Sequence, residues 1–239
     1  MKVRSMQDFT DKVVLIGGAA GNLGKSVSAA FRKAGAFLAL TDIHAGLLSE
    51  IYGDAGRVRI IESDLAMPDD AVHMIEQVLQ AYGKIDVFIS LTGGFSMGYP
   101  LHESSPESWE FMMKLNVATL FNVCHAVVPH MRDRGFGKIV TVGARAALSG
   151  RALMGAYTAS KAAVIRMTEA LSEENKRYGI NVNCVLPSII DTPQNRRDMP
   201  DADFSTWVSP DSLADVILFL ASQNARSLHG ASVPVYGLC

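Results

Sequence analysis

Five consecutive residues, Val13-Val14-Leu15-Ile16-Gly17, carry no polar side chain. Successive side chains of a strand point to opposite faces, so such a run is stable only where both faces are covered. Phe37-Leu38-Ala39-Leu40 repeats the pattern. Strands covered on both faces belong to parallel sheets sandwiched between helices, which restricts the chain to α/β architectures. The strands expected on this basis are Val13–Gly17, Phe37–Thr41, Val58–Glu62, Val87–Ser90, Lys138–Gly143, Asn181–Leu186 and Ser232–Tyr236.

The stretches between them carry helix punctuation. Gly35, Gly83 and Gly179 stand where left-handed residues end helices, and Ser105-Pro106 and Ser209-Pro210 read as N-cap plus first-turn proline. Strand and helix alternate from end to end, without repeat or linker, and 239 residues suit one core. We therefore expect a single domain with a Rossmann-type, doubly wound, mainly parallel seven-stranded sheet. A cofactor half would span about residues 1–135 and a catalytic and substrate half about 136–239. Residues 187–209 form a long polar connection of the kind that covers binding sites.

Directly after the first strand comes Gly17-Gly18-Ala19-Ala20-Gly21-Asn22-Leu23-Gly24, then a helix expected from Lys25 to Ala34. Glycines let backbone approach a pyrophosphate, and the helix N-terminus offers free N–H groups to it. The bland alternative is a turn that uses glycine for shape alone. The next strand ends at Asp42, with no Arg or Lys between Thr41 and Glu50. A carboxylate there accepts from ribose hydroxyls and repels a 2′-phosphate, which favours NAD(H) over NADP(H); the alternative is a solvated strand end.

Tyr157 and Lys161 are four residues apart, so a helix places them on one face. A nearby ammonium, with the positive ring of an oxidised nicotinamide, would lower the phenol pKa from about 10 and suit it to acid–base work. With these pieces in this order the chain resembles the short-chain dehydrogenase/reductase family over nearly its whole length. The resemblance also covers Asp64-Leu65, Ser90-Leu91-Thr92-Gly93, Asn116 and Pro187-Ser188-Ile189-Ile190-Asp191-Thr192. It implies that Gly18, Gly21, Asn22 and Leu23 cradle the cofactor phosphates, and that Asp64 and Leu65 hold adenine. Thr92 and Gly93 would support the ribose side. Lys161 would contact the nicotinamide ribose, Ile190 and Thr192 the carboxamide, and Asn116 a water leading from Lys161 to solvent. Tyr157, Lys161 and Asn116 are the implied catalytic group, and a homo-oligomer, tetramer or dimer, is implied too.

Three positions depart from the family pattern. Asn22 stands where a glycine is usual, and asparagine tolerates left-handed backbone. Ser90-Leu91-Thr92-Gly93 replaces Asn-Asn-Ala-Gly. Ala144, thirteen positions before Tyr157, stands where the family has a serine that donates to the substrate carbonyl. Losing such a donor costs on the order of 100-fold. Ser149 is a possible substitute. At these departures the chain is similar to the dihydropteridine reductase branch, which also lacks the serine. The likeness runs through Thr92-Gly93-Gly94-Phe95, residues 143–148 around Ala144 and Arg145, and the block from Met199 to Trp207. Ala144 and Arg145 are the expected substrate contacts. Arg145, Arg151, Arg196 and Arg197 could attract an anion, although solvated arginines are the commoner case.

The formal net charge of −2, with no long run of one sign, fits a small-molecule partner and neither nucleic acid nor membrane. Cys124, Cys184 and Cys239 lack metal-ligand spacing, and His125 and His130 lie on different helix faces, so no metal site is expected. Met1 to Asp11 lacks the apolar core of a signal peptide, and no uninterrupted apolar run of about 18 residues predicts a membrane span. The expected location is the cytoplasm. Three readings follow, in this order: an NAD(P)-dependent oxidoreductase acting on a small carbonyl, alcohol or imine-like substrate; dihydropteridine reductase in the strict sense; and a nucleotide-binding sensor or scaffold with weakened chemistry.

Overall fold

The computed structural model describes residues 8–53 and 56–239; for residues 1–7 the polar N-terminal reading lies outside the described residues. Seven strands form one sheet in the order β3-β2-β1-β4-β5-β6-β7. They are β1 Val13–Gly17, β2 Phe37–Asp42, β3 Val58–Glu62, β4 Val87–Ser90, β5 Gly137–Val142, β6 Ile180–Pro187 and β7 Ser232–Val235. Every neighbouring pair runs parallel, so the sheet is wholly rather than mainly parallel.

The apolar β1 run splits between two cores. Val14 and Ile16 join a cluster with Val27 and Phe31 of helix α1 (Asn22–Lys33) and Leu213 and Ile217 of α8 (Pro210–Ala221). Val13 and Leu15 face the other way, onto Met74 and Val78 of α3 (Pro68–Tyr82) and Val123 and Val127 of α5 (Thr119–Arg134). Each fully buried residue of this size contributes roughly 1.5–3 kcal/mol relative to exposure. Both faces of the sheet are therefore dry.

The remaining helices are α2 (Ala45–Tyr52), α4 (Pro106–Met113), α6 (Gly155–Asn175) and α7 (Pro193–Asp198). Ser105 and Ser209 cap α4 and α8 by accepting from the N–H groups of Ser108 and Ser212, and Gly83 ends α3 in the left-handed region. Residues 187–209 are more regular than expected: α7 and a one-turn helix at Phe204–Thr206 interrupt them, and Ile190 pairs with Val208. Thr192 and Asp203 cap these two turns through their side chains, a local signal that the polar composition conceals.

A π-helical turn at Lys114–Ala118 joins α4 to α5, so Pro106–Asp133 is one 28-residue helical stretch, long and apolar enough to cross a membrane. Polar residues punctuate it, so it is not an uninterrupted apolar run, and a helix packed in a protein core passes the same test of length and composition. Half of its most apolar window is buried inside the protein.

At the C-terminal edge of the sheet, Gly17 lies opposite Thr41 on one side and Ser90 on the other. The strand order reverses at β1, where a parallel sheet opens a crevice.

Candidate active site

The crevice begins with the glycine turn. Gly18 has φ +77° and its N–H donates to Thr41 O at 3.0 Å. A Cβ on Gly18 would come within 2.8 Å of Thr92 N, and one on Gly24 within 2.5 Å of Ala19 O. These two glycines are required by close approach, whereas at Gly21 the nearest atom would be 3.5 Å away. Asn22 does not occupy left-handed backbone: α1 starts there, three residues before the expected Lys25, and the described non-glycine residues with positive φ are Asp11 and Leu153. Gly18 makes the left-handed step instead. Asn22, Leu23 and Gly24 thus fall in the first turn of α1, whose N–H groups have no intrahelical acceptor.

Asp42 is more than a solvated strand end. Its Oδ2 accepts from Ala20 N at 3.1 Å and its Oδ1 from His44 N at 3.3 Å, so the carboxylate fastens the glycine turn to β2. Opposite it, Thr92 Oγ1 is buried without a hydrogen-bond partner. An unpaired buried hydroxyl beside a cradle with no room for side chains fits a bound dinucleotide, which would bring polar atoms there. Leu65 is 4% exposed and sits under the turn, its Cδ1 3.0 Å from where a Gly17 Cβ would lie. Asp64 Oδ1 accepts from Ala66 N, and Asn122 Nδ2 donates to Leu65 O. A surface depression of about 450 Å³ borders Asp64, Ile43 and His73; Tyr157 does not line it.

The other side of the crevice holds Tyr157, Lys161 and Asn116. Asn116 sits on the π turn, 2% exposed, and pairs with both backbone groups of Gly94: Oδ1 accepts from Gly94 N at 2.9 Å and Nδ2 donates to Gly94 O at 3.2 Å. Nδ2 also donates to Ser160 Oγ at 3.0 Å, and Ser160 Oγ donates to Tyr157 O at 2.8 Å. A Cβ on Gly93 would lie 2.6 Å from Asn116 Oδ1 and 3.0 Å from Lys161 Nζ. A side chain at position 93 would have to displace the Asn116 amide, which Gly94 and Ser160 hold in place.

Two electrostatic expectations are corrected here. Burial pushes the Tyr157 phenol up, to about 12, rather than a neighbouring cation pulling it down. Lys161 Nζ donates to Val142 O at 2.9 Å, and burial lowers its ammonium to about 8. Sharing a helix face did not direct the ammonium at the phenol, because the end of β5 offers a carbonyl first. With the protein's own groups alone, Tyr157 is a neutral proton donor at physiological pH.

Ala144 is 4% exposed and extended, leading into a short turn at Arg145–Leu148. Arg145 does not reach out for an anion: its guanidinium lies over the Tyr236 ring at 4.9 Å. Arg196 is likewise engaged, bidentate on Asp191 at 2.6 and 2.7 Å, and Arg197 donates to Gln194. Ile190 O accepts from Asn195 Nδ2 and Thr192 Oγ1 from Asn195 N, which ties α7 to the end of the segment that follows β6. Ser149 ends the Arg145–Leu148 turn, exposed.

Sequence reasoning missed three residues. Ser160 links Asn116 to the Tyr157 backbone; its position between Tyr157 and Lys161 on the inner helix face was the available signal. Phe95 meets the Tyr157 ring edge-on, with centroids 4.9 Å apart and planes at 78°. Tyr236, like Ala147, packs on the buried cluster of Ile165, Cys184 and Leu186, and its carbonyl accepts from Ser188 Oγ at 2.7 Å. Phe95 stood in the Thr92-Gly93-Gly94-Phe95 likeness without a role assigned to it, and nothing local marked Tyr236.

Residues 12–203 match the short chain dehydrogenase family. The chain belongs to that family. A 3-oxoacyl-acyl-carrier-protein reductase of Thermotoga maritima is 32% identical over 239 residues, covering 95% of this chain and 96% of that one. Among solved structures, NAD+-bound xylitol dehydrogenase superposes with a TM-score of 0.89 at 22% identity, covering 96% of this chain and 99% of that one. ElxO with NADP bound does so with 0.88 at 22% identity, covering 95% and 97%. As a short chain dehydrogenase the protein is an oxidoreductase that works with a nicotinamide cofactor, on the single-domain, seven-stranded fold described above.

Proposed function

We propose that this short chain dehydrogenase transfers hydride between NAD(H) and a small carbonyl or alcohol, with Tyr157 as the acid–base group. The observation that carries the reading is the meeting of Asn116 and Lys161 around Gly93, one strand end away from the glycine cradle. The bound nicotinamide supplies or accepts the hydride. The chain does the rest. Gly18, Gly21, Asn22 and Leu23 hold the phosphates, Asp42 the adenosine ribose, Asp64 and Leu65 the adenine side, and Thr92, Gly93, Ile190 and Thr192 the nicotinamide half. Tyr157 gives its proton to the carbonyl oxygen during reduction. Lys161 holds the nicotinamide ribose and stabilises the phenolate left behind. Asn116 fixes the Tyr157 helix through Ser160 and keeps the strand end open beside Lys161. Ala144 and Arg145 border the substrate, Arg145 through its stem rather than its charge.

Asp42 supports NAD(H) over NADP(H), because a 2′-phosphate would meet a carboxylate already committed to the glycine turn. Dihydropteridine reductase in the strict sense stays as a second reading, favoured by Ala144: a conjugated, electron-poor ring accepts hydride without a carbonyl-polarising donor. A nucleotide sensor with weakened chemistry is the third. We further propose a cytoplasmic homo-oligomer, dimer or tetramer, joined through the groove between α5 and α6, where Phe121 is 59% exposed beside Val128, Met167 and Leu171. The division into a cofactor half and a catalytic half near residue 135 is also a proposal, and Asn116 crosses it.

The deciding experiment is NADH oxidation by the purified protein against ketones and a quinonoid dihydropterin, beside Tyr157→Phe. Turnover of ketones that Tyr157→Phe abolishes, with NADH binding kept, supports the first reading. Turnover of the pterin alone selects the second, and tight NADH binding with no turnover the third.

A further inference from the structure

Resting on the oxidoreductase reading, we infer that the substrate carries an uncharged aromatic or branched apolar group beside its reacting carbon. This group packs on a collar of Phe95, Met97, Tyr99, Leu101 and Leu153, and Phe95 sets the preference. The first four of these are more than half exposed and Leu153 is 41% exposed, a concentration of wet apolar surface within one short segment and the loop facing it.

The collar is fastened to the helix end that presents Tyr157. Phe95 touches the Tyr157 ring through an edge-on contact and is still 56% exposed, so most of its surface stays available at the mouth of the site. Gly98 N donates to Leu153 O at 3.0 Å and ties the two loops together. Leu101 fills the space that a side chain on Gly155 would need, with Cδ1 2.7 Å from that Cβ position, and Gly155 is the first residue of α6. Phe95 at the Tyr157 ring and Leu101 at Gly155 place this apolar surface beside the phenol.

The chemistry of the collar selects the class. Phe95, Met97, Leu101 and Leu153 offer no strong hydrogen-bond partner, and Tyr99 offers a single hydroxyl. A polyol would lose water there without replacement bonds, whereas an aryl or branched alkyl group gains by leaving water. Charged substrates find little help, since Arg145 lies on Tyr236 and Arg196 on Asp191. Arg151, exposed on the same connection, is the cation that could serve an anionic tail.

The test is steady-state NADH oxidation with an aryl α-diketone, dihydroxyacetone and acetoacetyl-coenzyme A. Wild type should prefer the aryl diketone to dihydroxyacetone by at least about 100-fold in kcat/KM. Phe95→Ala should cost the aryl substrate about 10-fold more in kcat/KM than dihydroxyacetone, mainly in KM, with NADH affinity kept; Phe95→Leu should restore most of that difference. Preference for dihydroxyacetone, or an unchanged ratio in Phe95→Ala, would overturn the inference. So would preference for the thioester that Arg151→Ala removes. Sedimentation covers the remaining alternative: if Tyr99→Ser dissociates an oligomer and leaves the aryl preference untouched, the collar is an interface between copies and the inference fails. Should no ketone turn over, the carbonyl reading of the proposed function fails separately. Calorimetric binding of the aryl diketone, retained by wild type and lost in Phe95→Ala, then still supports the collar, and no binding rejects it.

Discussion

Lys161 Nζ donates to the carbonyl oxygen of Val142 at 2.9 Å, so the ammonium four residues from Tyr157 is anchored at the end of β5 rather than on the phenol. Burial keeps Tyr157 protonated, at about 12, and brings Lys161 down to about 8. In the proposed ketone reduction the phenolic proton is consumed, so kcat should show no Tyr157 inflection between about pH 6 and 9. Lys161 has a lowered value and loses its charge as pH rises through 8, so NADH affinity should weaken above that point. Lys161→Ala should remove this pH dependence and weaken binding and turnover together, while Tyr157→Phe should spare binding. Fluorescence titration and steady-state rates across the range measure both. A kcat inflection near neutrality that persists in Ala144→Ser and is matched by phenolate absorbance lost in Tyr157→Phe would contradict the buried-phenol picture.

Asp42, proposed above to set cofactor choice, also fastens the glycine turn, because one carboxylate oxygen accepts from Ala20 N. Asp42→Ala should therefore do two things at once. NADH binding should weaken about 10-fold as the turn loses its fastening and the ribose its acceptor, and the preference over NADPH should narrow. Titration of wild type and variant with both cofactors decides it. Equal or tighter NADPH binding by wild type would refute the proposed preference.

By the resemblance, Ala144 stands where the family has a hydrogen-bond donor. In the carbonyl reading, Ala144→Ser should raise kcat/KM on ketones by an amount worth roughly 1–3 kcal/mol, the size of a hydrogen bond placed on developing charge. In the pterin reading the same change should be neutral, or harmful through crowding at a position only 4% exposed. Rates of both forms on ketones and on quinonoid dihydropterin separate the two.

Asp86 predicts an acid limb in stability at the pole away from the site. It is 1% exposed, accepts from Val13 N and Arg134 and pairs with Lys84. Burial alone would raise its carboxyl, but the Val13 N–H, Arg134, Lys12 and Lys84 outweigh it and hold the value below the usual range. A depressed carboxylate stabilises the fold above its unfolded value of about 4, and the gain is lost as pH falls through the folded value. Asp86→Ala should cost roughly 3–5 kcal/mol at pH 7 and flatten this limb. Denaturant melts at pH 7, 5 and 3 test it, and a variant as stable as wild type at pH 7 would remove the buried carboxylate from the account.

The strands, the helix caps at Ser105 and Ser209, the glycine turn and the Tyr157–Lys161 spacing were legible in the sequence. Each depends on residues close in the chain, and burial on both faces of β1 leaves a local apolar signature. Tertiary structure decided the rest. Asn116 finds Gly94 from 22 residues away and Ser160 from 44, the Lys161 ammonium goes to Val142 O, and the Arg145 guanidinium settles on Tyr236 near the far end of the chain. Long polar side chains have several reachable partners of similar energy, and packing between distant elements picks one. The raised phenol of Tyr157 has the same origin, since burial belongs to the assembled crevice and not to the motif.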